Sequence, residues 1–109
     1  MKTYVMMTKI APPNAQVVEL GSRMQEWARN EQYRLEKIKH SCPEVIFLAH
    51  YALLGQWDFM DIYNAPDEET AAMVSLVSRS FGAHEVESWC AIPSERLTKL
   101  AEELNSLDI

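Results

Sequence analysis

The sequence predicts an α+β domain in which a four-stranded antiparallel sheet is covered by helices, in the order β-α-β-β-α-β with one further helix at the end. Three observations carry that expectation. Four short runs of β-branched, aromatic and aliphatic residues read as strands, and the two stretches joining the first to the second and the third to the fourth have helical periodicity. The middle two runs are separated only by a glycine-containing turn, as in a hairpin. The length of 109 residues, with 48% apolar and 24% charged residues, is that of one globular unit spanning residues 1–109.

Residues 3–10, TYVMMTKI, form the first expected strand, closed by Ala11-Pro12-Pro13 because proline cannot donate to a ladder. From Gln16 to about Lys39 the positions Val17, Leu20, Met24, Trp27, Ala28, Leu35 and Ile38 recur at three- and four-residue steps. One helix of that length would run roughly 36 Å at 1.5 Å per residue. It must overhang a short sheet or break, and Gly21 and Asn30 are its weak points. Pro43 ends the helical pattern.

EVIFLAHYALLGQWDFMDIYNA then supplies two strands around Leu54-Gly55-Gln56-Trp57, where glycine at the first central position suits a type II′ turn. Ala65-Pro66-Asp67-Glu68-Glu69-Thr70 places a proline and three carboxylates at a helix start, where unpaired N–H groups favour negative charge. Met73, Leu76, Val77 and Phe81 give that helix an apolar stripe, and Gly82 its stop. HEVESWCAI, residues 84–92, alternates Val86, Ser88 and Cys90 with Glu87, Trp89 and Ala91, as a strand with two unlike faces does. Ser94 after Pro93 is placed to cap a last helix carrying Leu97, Leu100, Leu104 and Leu107. This order is the ferredoxin-like motif.

Charge and composition exclude several partners. The net charge of −6 disfavours both a nucleic-acid backbone and an anionic membrane surface, which are bound through Lys and Arg. No apolar run reaches membrane-spanning length, and Tyr4-Val5-Met6-Met7 is too brief for a signal-peptide core. Cys42 and Cys90 are too few for a disulfide framework and read as free thiols of a cytoplasmic protein. His40, His50 and His84 match no metal-binding spacing, so no metal site is assigned. The mixed charges of the first helical stretch build no basic stripe.

In such a fold both connecting helices lie on one face of the sheet, leaving the other uncovered. Opposing Leu54 to Trp57 pairs Ala52 with Phe59, His50 with Asp61 and Leu48 with Tyr63. One hairpin face then carries Leu48, His50, Ala52, Leu54, Trp57, Phe59, Asp61 and Tyr63, and the other Phe47, Ala49, Tyr51, Leu53, Asp58, Met60 and Ile62. The second, more uniformly apolar set is expected under the helices. The first set, rich in aromatics, is expected on the open face, where an apolar patch marks an interaction site. A second copy pairing face to face would bury it, which makes a homodimer or higher homo-oligomer the expected state.

Gly55-Gln56-Trp57-Asp58, followed by Asn64-Ala65-Pro66-Asp67-Glu68-Glu69-Thr70-Ala71-Ala72, resembles the GYD domain family, whose pattern is a Gly-x-Tyr-Asp turn, an apolar strand, a Glu-Ala-Pro-Asp step and a helix. Here Trp57 stands for the tyrosine and Asn64 for the glutamate. The resemblance implies the dimeric α/β barrel superfamily, ferredoxin-like subunits pairing through their sheets. That superfamily includes cofactor-free monooxygenases, haem-handling enzymes, isomerases and amino-acid-sensing domains, and fold alone does not choose among them.

His50 opposite Asp61 is the sharpest chemical candidate, since a carboxylate beside an imidazole orients it as a general acid or base. The same pair equally serves as a hydrogen bond satisfying two polar groups. Trp57, Phe59, Tyr63 and Trp89 could wall a flat ligand or pack an interface. Asp58 could hold a ligand amine or a metal, or accept backbone N–H bonds in its turn. The reading that follows is an oligomeric small-molecule-binding or regulatory module, its cofactor undefined. The alternative is a cofactor-independent or haem-dependent enzyme using His50 and Asp61. A third use is docking through the stripe of the last helix.

Overall fold

The computed structural model describes residues 1–107. Its elements run β1 (Lys2–Lys9), α1 (Val17–Arg29), α2 (Glu31–Ser41), β2 (Ile46–Ala52), β3 (Phe59–Ala65), α3 (Glu68–Ser80), β4 (Glu85–Ala91) and α4 (Ser94–Ser106). The four strands form one antiparallel sheet in the order β2-β3-β1-β4. This is the α+β, ferredoxin-like arrangement expected from the order of elements.

The first helical stretch breaks. Asn30 sits at φ −92°, ψ 0°, in the sparsely populated bridge region, and serves as the end of α1 and the start of α2. Asparagine tolerates that geometry because its side chain competes with the helical ladder. The break lets α2 lie along the sheet, burying Arg34 and Ile38, while α1 buries only Trp27. Val17 and Leu20, counted in the sequence stripe, are exposed.

The core forms between the sheet and α2 and α3. Tyr4 and Met6 of β1 and Tyr63 and Ala65 of β3 meet Ile38 of α2 and Ala71, Val74 and Val77 of α3. Phe47 and Val86 pack against this cluster from the outer strands. On α3 the buried residues are Ala71, Val74, Val77 and Ser78, whereas Met73 and Leu76 are exposed. The helix turns its smaller side chains inward, which permits close approach to the sheet: Ser75 and Ser88 hydroxyls meet at 2.6 Å, and Ser78 donates to the Met6 sulfur at 3.7 Å. Asp67 caps α3 by accepting from the Thr70 N–H at 2.8 Å, and Gly82 takes the left-handed φ of 98° after its end.

Two details of the hairpin differ from expectation. The loop from Leu53 to Asp58 keeps the expected register, with Ala52 opposite Phe59 and the Leu53 N–H donating to Asp58 O at 2.9 Å, but Gly55 lacks the positive φ of a type II′ turn. At the other end the register shifts between Phe47 and Ala49, so Phe47, not Leu48, opposes Tyr63. This β-bulge makes Leu48 the extra residue and turns Phe47 to the same side as His50.

The larger correction concerns sidedness. His50, Phe59, Asp61 and Tyr63, expected on the open face, lie beneath the helices: Tyr63 is fully buried in the core, and His50 and Asp61 face α2. The polar pair is accommodated there because its two members bond to each other at 2.6 Å. The open face instead carries Ala49, Tyr51, Met60 and Ile62 from the hairpin, with Leu48 at the bulge, alongside Val5 and Met7 of β1 and Trp89 of β4.

The last helix stands apart. No residue of α4 is buried, its N-terminus lacks a side-chain cap with Pro93 at the cap position, and Ser94 begins the helix without capping it. Its four stripe leucines are 49–68% exposed. With this extension the molecule measures 59 × 33 × 19 Å.

Candidate functional site

Residues Glu31, Arg34, Leu35 and Ile38 recur at i, i+3, i+4 and i+7, so one side of α2 presents all four to the sheet below. Facing them are Met6 of β1, Phe47 and His50 of β2, Asp61 of β3 and Ser78 of α3. Together they enclose a cavity of about 130 Å³. Its walls are mainly apolar, and its polar groups come from both sides, Glu31 and Arg34 from α2 and His50 and Asp61 from β2 and β3. That combination of apolar lining and a few convergent polar groups is the usual form of a small-molecule site.

The polar groups form a chain. His50 Nδ1 lies 2.6 Å from Asp61 Oδ1, and its Nε2 lies 3.6 Å from Glu31 Oε1, placing the imidazole between two carboxylates. The ring is stacked on Phe59, centroids 5.4 Å apart and planes 13° from parallel, which fixes its orientation. Burial raises the pKa of Asp61 above the ordinary carboxylate value, an effect that His50 and Arg34 oppose. Arg34 is 5% exposed, its guanidinium carbon 3.8 Å over the Trp27 ring and its Nη1 donating to Trp27 O at 3.4 Å. Burial lowers its pKa. Glu31 and His50 remain partly open to water, so the site has a solvent side.

The other residues singled out in the sequence are dispersed. Tyr63 stacks on Tyr4 at 5.6 Å between centroids, tilts against Phe47, and donates its hydroxyl to Ala71 O at 3.4 Å. Burial pushes its pKa up to about 12, which makes it a core phenol. Trp57 is half-buried in the hairpin loop, with Lys9 Nζ 5.7 Å from its ring centroid. Trp89 lies on the opposite face of the sheet, 47% exposed. The four aromatics therefore do not share one wall. Asp58 accepts the Ile10 N–H at 2.8 Å through Oδ2, tying the hairpin loop to the end of β1.

Sequence reasoning missed Glu31 and Arg34, treating them as members of a solvated charge mixture. The signal was present: Arg34 shares a helical face with Ile38, a position spaced for burial. A larger cleft of about 740 Å³ beside α1, lined by Gln16, Glu19, Arg23, Trp27 and Phe81 among others, is open and carries no comparable buried polar chain. Cys42 is buried, which raises its thiol pKa, and Cys90 is exposed. Among the described residues no three His, Cys, Asp or Glu side chains converge to hold a metal. Among the same residues no helix is long and apolar enough to cross a membrane.

The antiparallel sheet in the order β2-β3-β1-β4 with α2 and α3 packed on one face defines a small α+β protein of ferredoxin-like fold. The chain matches the GYD domain over residues 4–101 and belongs to that family. It is similar to the crystal structure of FFRP-DM1, with TM-score 0.49 and 14% identity over 84% of this chain and 100% of that one. It is also similar to At3g17210 from Arabidopsis thaliana, with TM-score 0.44 and 8% identity over 85% of this chain and 95% of that one. No curated protein matches it.

Proposed function

We propose that this GYD domain protein is a cytoplasmic, homo-oligomeric small-molecule-binding module, each copy holding a compact and largely apolar ligand between α2 and the sheet. The observation that carries the reading is the 130 Å³ cavity, apolar on most sides and closed by Arg34, His50 and Asp61. A cavity of roughly 150 Å³ lined by aliphatic and aromatic side chains accepts benzene or xenon, which sets the ligand's scale at one ring or a short branched chain. Pairing of two copies through the open sheet faces is supported by Leu48, Tyr51 and Trp89, which stand 47–55% exposed there.

Titration of the full chain with benzene, followed through the side-chain methyl signals of Met6, Leu35 and Ile38, tests the pocket. Saturable shifts confined to these methyls are expected, and they disappear in an Ile38→Trp variant that fills the space. Equal, unsaturable shifts across the whole surface would reject the reading.

The His50–Asp61 bond favours a second use of the same cavity, acid–base catalysis on the bound ligand. Asp61 orients the imidazole, leaving Nε2 as the proton-transfer atom. The haem-dependent version finds no room here, since the cavity is smaller than the roughly 300–1,000 Å³ that drug-sized ligands occupy.

A further inference from the structure

Arg34 is the least explained charged group in the molecule. A guanidinium carries five N–H donors. Buried to all but 5% of its surface, it has one hydrogen bond to protein, a 3.4 Å contact with Trp27 O, and among the described residues no carboxylate within ion-pair distance. Leaving a buried cation without a counter-charge is costly, and sites that do so are completed by a ligand or by water. Among the described residues the sealed and partnerless side-chain atoms are Tyr4 Oη, Thr8 Oγ1 and Trp27 Nε1; no nitrogen of Arg34 is among them. Its free donors therefore reach accessible space, and Arg34 lines the cavity.

The nearby carboxylates are engaged elsewhere. Asp61 is bonded to His50 at 2.6 Å, and Glu31 approaches the other nitrogen of the same ring while remaining half exposed, where water screens its charge. Neither carboxylate lies within ion-pair distance of Arg34, so among the described residues no side chain in contact with the guanidinium offsets its charge. The planar fork of a guanidinium matches a carboxylate in two parallel N–H···O bonds.

From these contacts we infer that the cavity takes a small monocarboxylate, its apolar body against Met6, Leu35, Ile38 and Phe47 and its carboxylate on Arg34. This inference rests on the cavity being a ligand site, and it adds the charge and class of the ligand. Arg34 is the anchor, and the stack on Trp27 holds the guanidinium in place.

The test uses three probes of one size and shape that differ in charge: benzoate, benzamide and benzylamine. Isothermal titration of the full chain is expected to give benzoate at least tenfold tighter binding than benzamide, with benzylamine weaker than both. Arg34→Met reduces benzoate affinity to that of benzamide and leaves benzamide unchanged. Arg34→Lys, which keeps the charge but loses the fork, falls between. Should benzamide bind the wild-type chain as well as benzoate does, the cavity stands as a ligand site and the carboxylate assignment fails. Should none of the three bind and benzene also produce no saturable shift, the cavity reading itself fails. The wild-type comparison decides the matter even if the Arg34→Met chain does not fold.

Discussion

Asp58 and Asp61 are three residues apart and do different work, and their surroundings say why. Asp58 satisfies the N–H of Ile10, a residue 1% exposed, so no water can replace the carboxylate. Asp58→Ala is expected to cost about 1–3 kcal/mol, the penalty for a buried donor left unpaired, and Asp58→Asn much less because its amide oxygen still accepts. Urea melts of the two variants check this. Asp61 lies where burial disfavours its charge and raises its folded pKa. The folded chain therefore binds a proton that the unfolded chain releases at about 3.9, the ordinary Asp value. Stability from this group is fully present below that pH and is lost as pH rises through the raised folded value, with no further change above it. Asp67 and Glu68, whose pKa values are lowered by hydrogen bonds from Thr70 and Lys2 respectively, contribute the opposite slope. The measurable signature is thus a difference: melts of Asp61→Asn and wild type across acidic pH should diverge by a slope of the sign given, and parallel curves would refute it.

At the scale of elements, local rules worked where one residue decides and failed where two faces compete. Gly82 reads as a helix stop from its position after Phe81, and it has the φ of 98° that only glycine adopts without strain. An added Cβ would meet nothing within 4 Å, so Gly82→Ala isolates the backbone term. The expected loss is about 1–2 kcal/mol, read by thermal melting. The pairing of His50 with Asp61 was equally legible, because the hairpin register follows from the short connection. Sidedness was not. Both hairpin faces hold large apolar side chains, and placing the His–Asp pair outward assumed that polar groups seek water. Mutual hydrogen bonding removes that drive, and β1 supplies the deciding partners, since buried Tyr4 and Met6 stand opposite Tyr63 and Asp61. The bulge at Leu48 was illegible because it has no glycine or proline to mark it. The site suffered accordingly: its strand half was visible, while Glu31 and Arg34 belonged to a helix whose break at Asn30 decides which side turns inward.

At the scale of the molecule, the described residues expose two apolar surfaces, the open sheet face with Leu48, Tyr51 and Trp89 and the leucine stripe of α4. Four strands of seven or eight residues present roughly 19 by 23 Å, or about 450 Å² in projection. A 13-residue helix adds a strip of roughly 20 by 10 Å. Together they approach the ~800 Å² per partner of a standard interface, which the sheet face alone does not reach. Two-fold pairing that uses both surfaces predicts a specific order of effects. The full chain should be dimeric or larger by light scattering at micromolar concentration. Ile62→Glu, which puts a charge at the centre of the open face, should yield a monomer with an unchanged far-ultraviolet circular dichroism spectrum, because that side chain lies outside the core under the helices. Ending the chain after Pro93 should leave the ferredoxin-like body folded, since α4 buries nothing of its own, yet weaken the dimer at least tenfold. A truncated chain that dimerises as tightly as the full one would assign the interface to the sheet alone and free α4 for another partner. A monomeric full chain would remove the second copy from both surfaces.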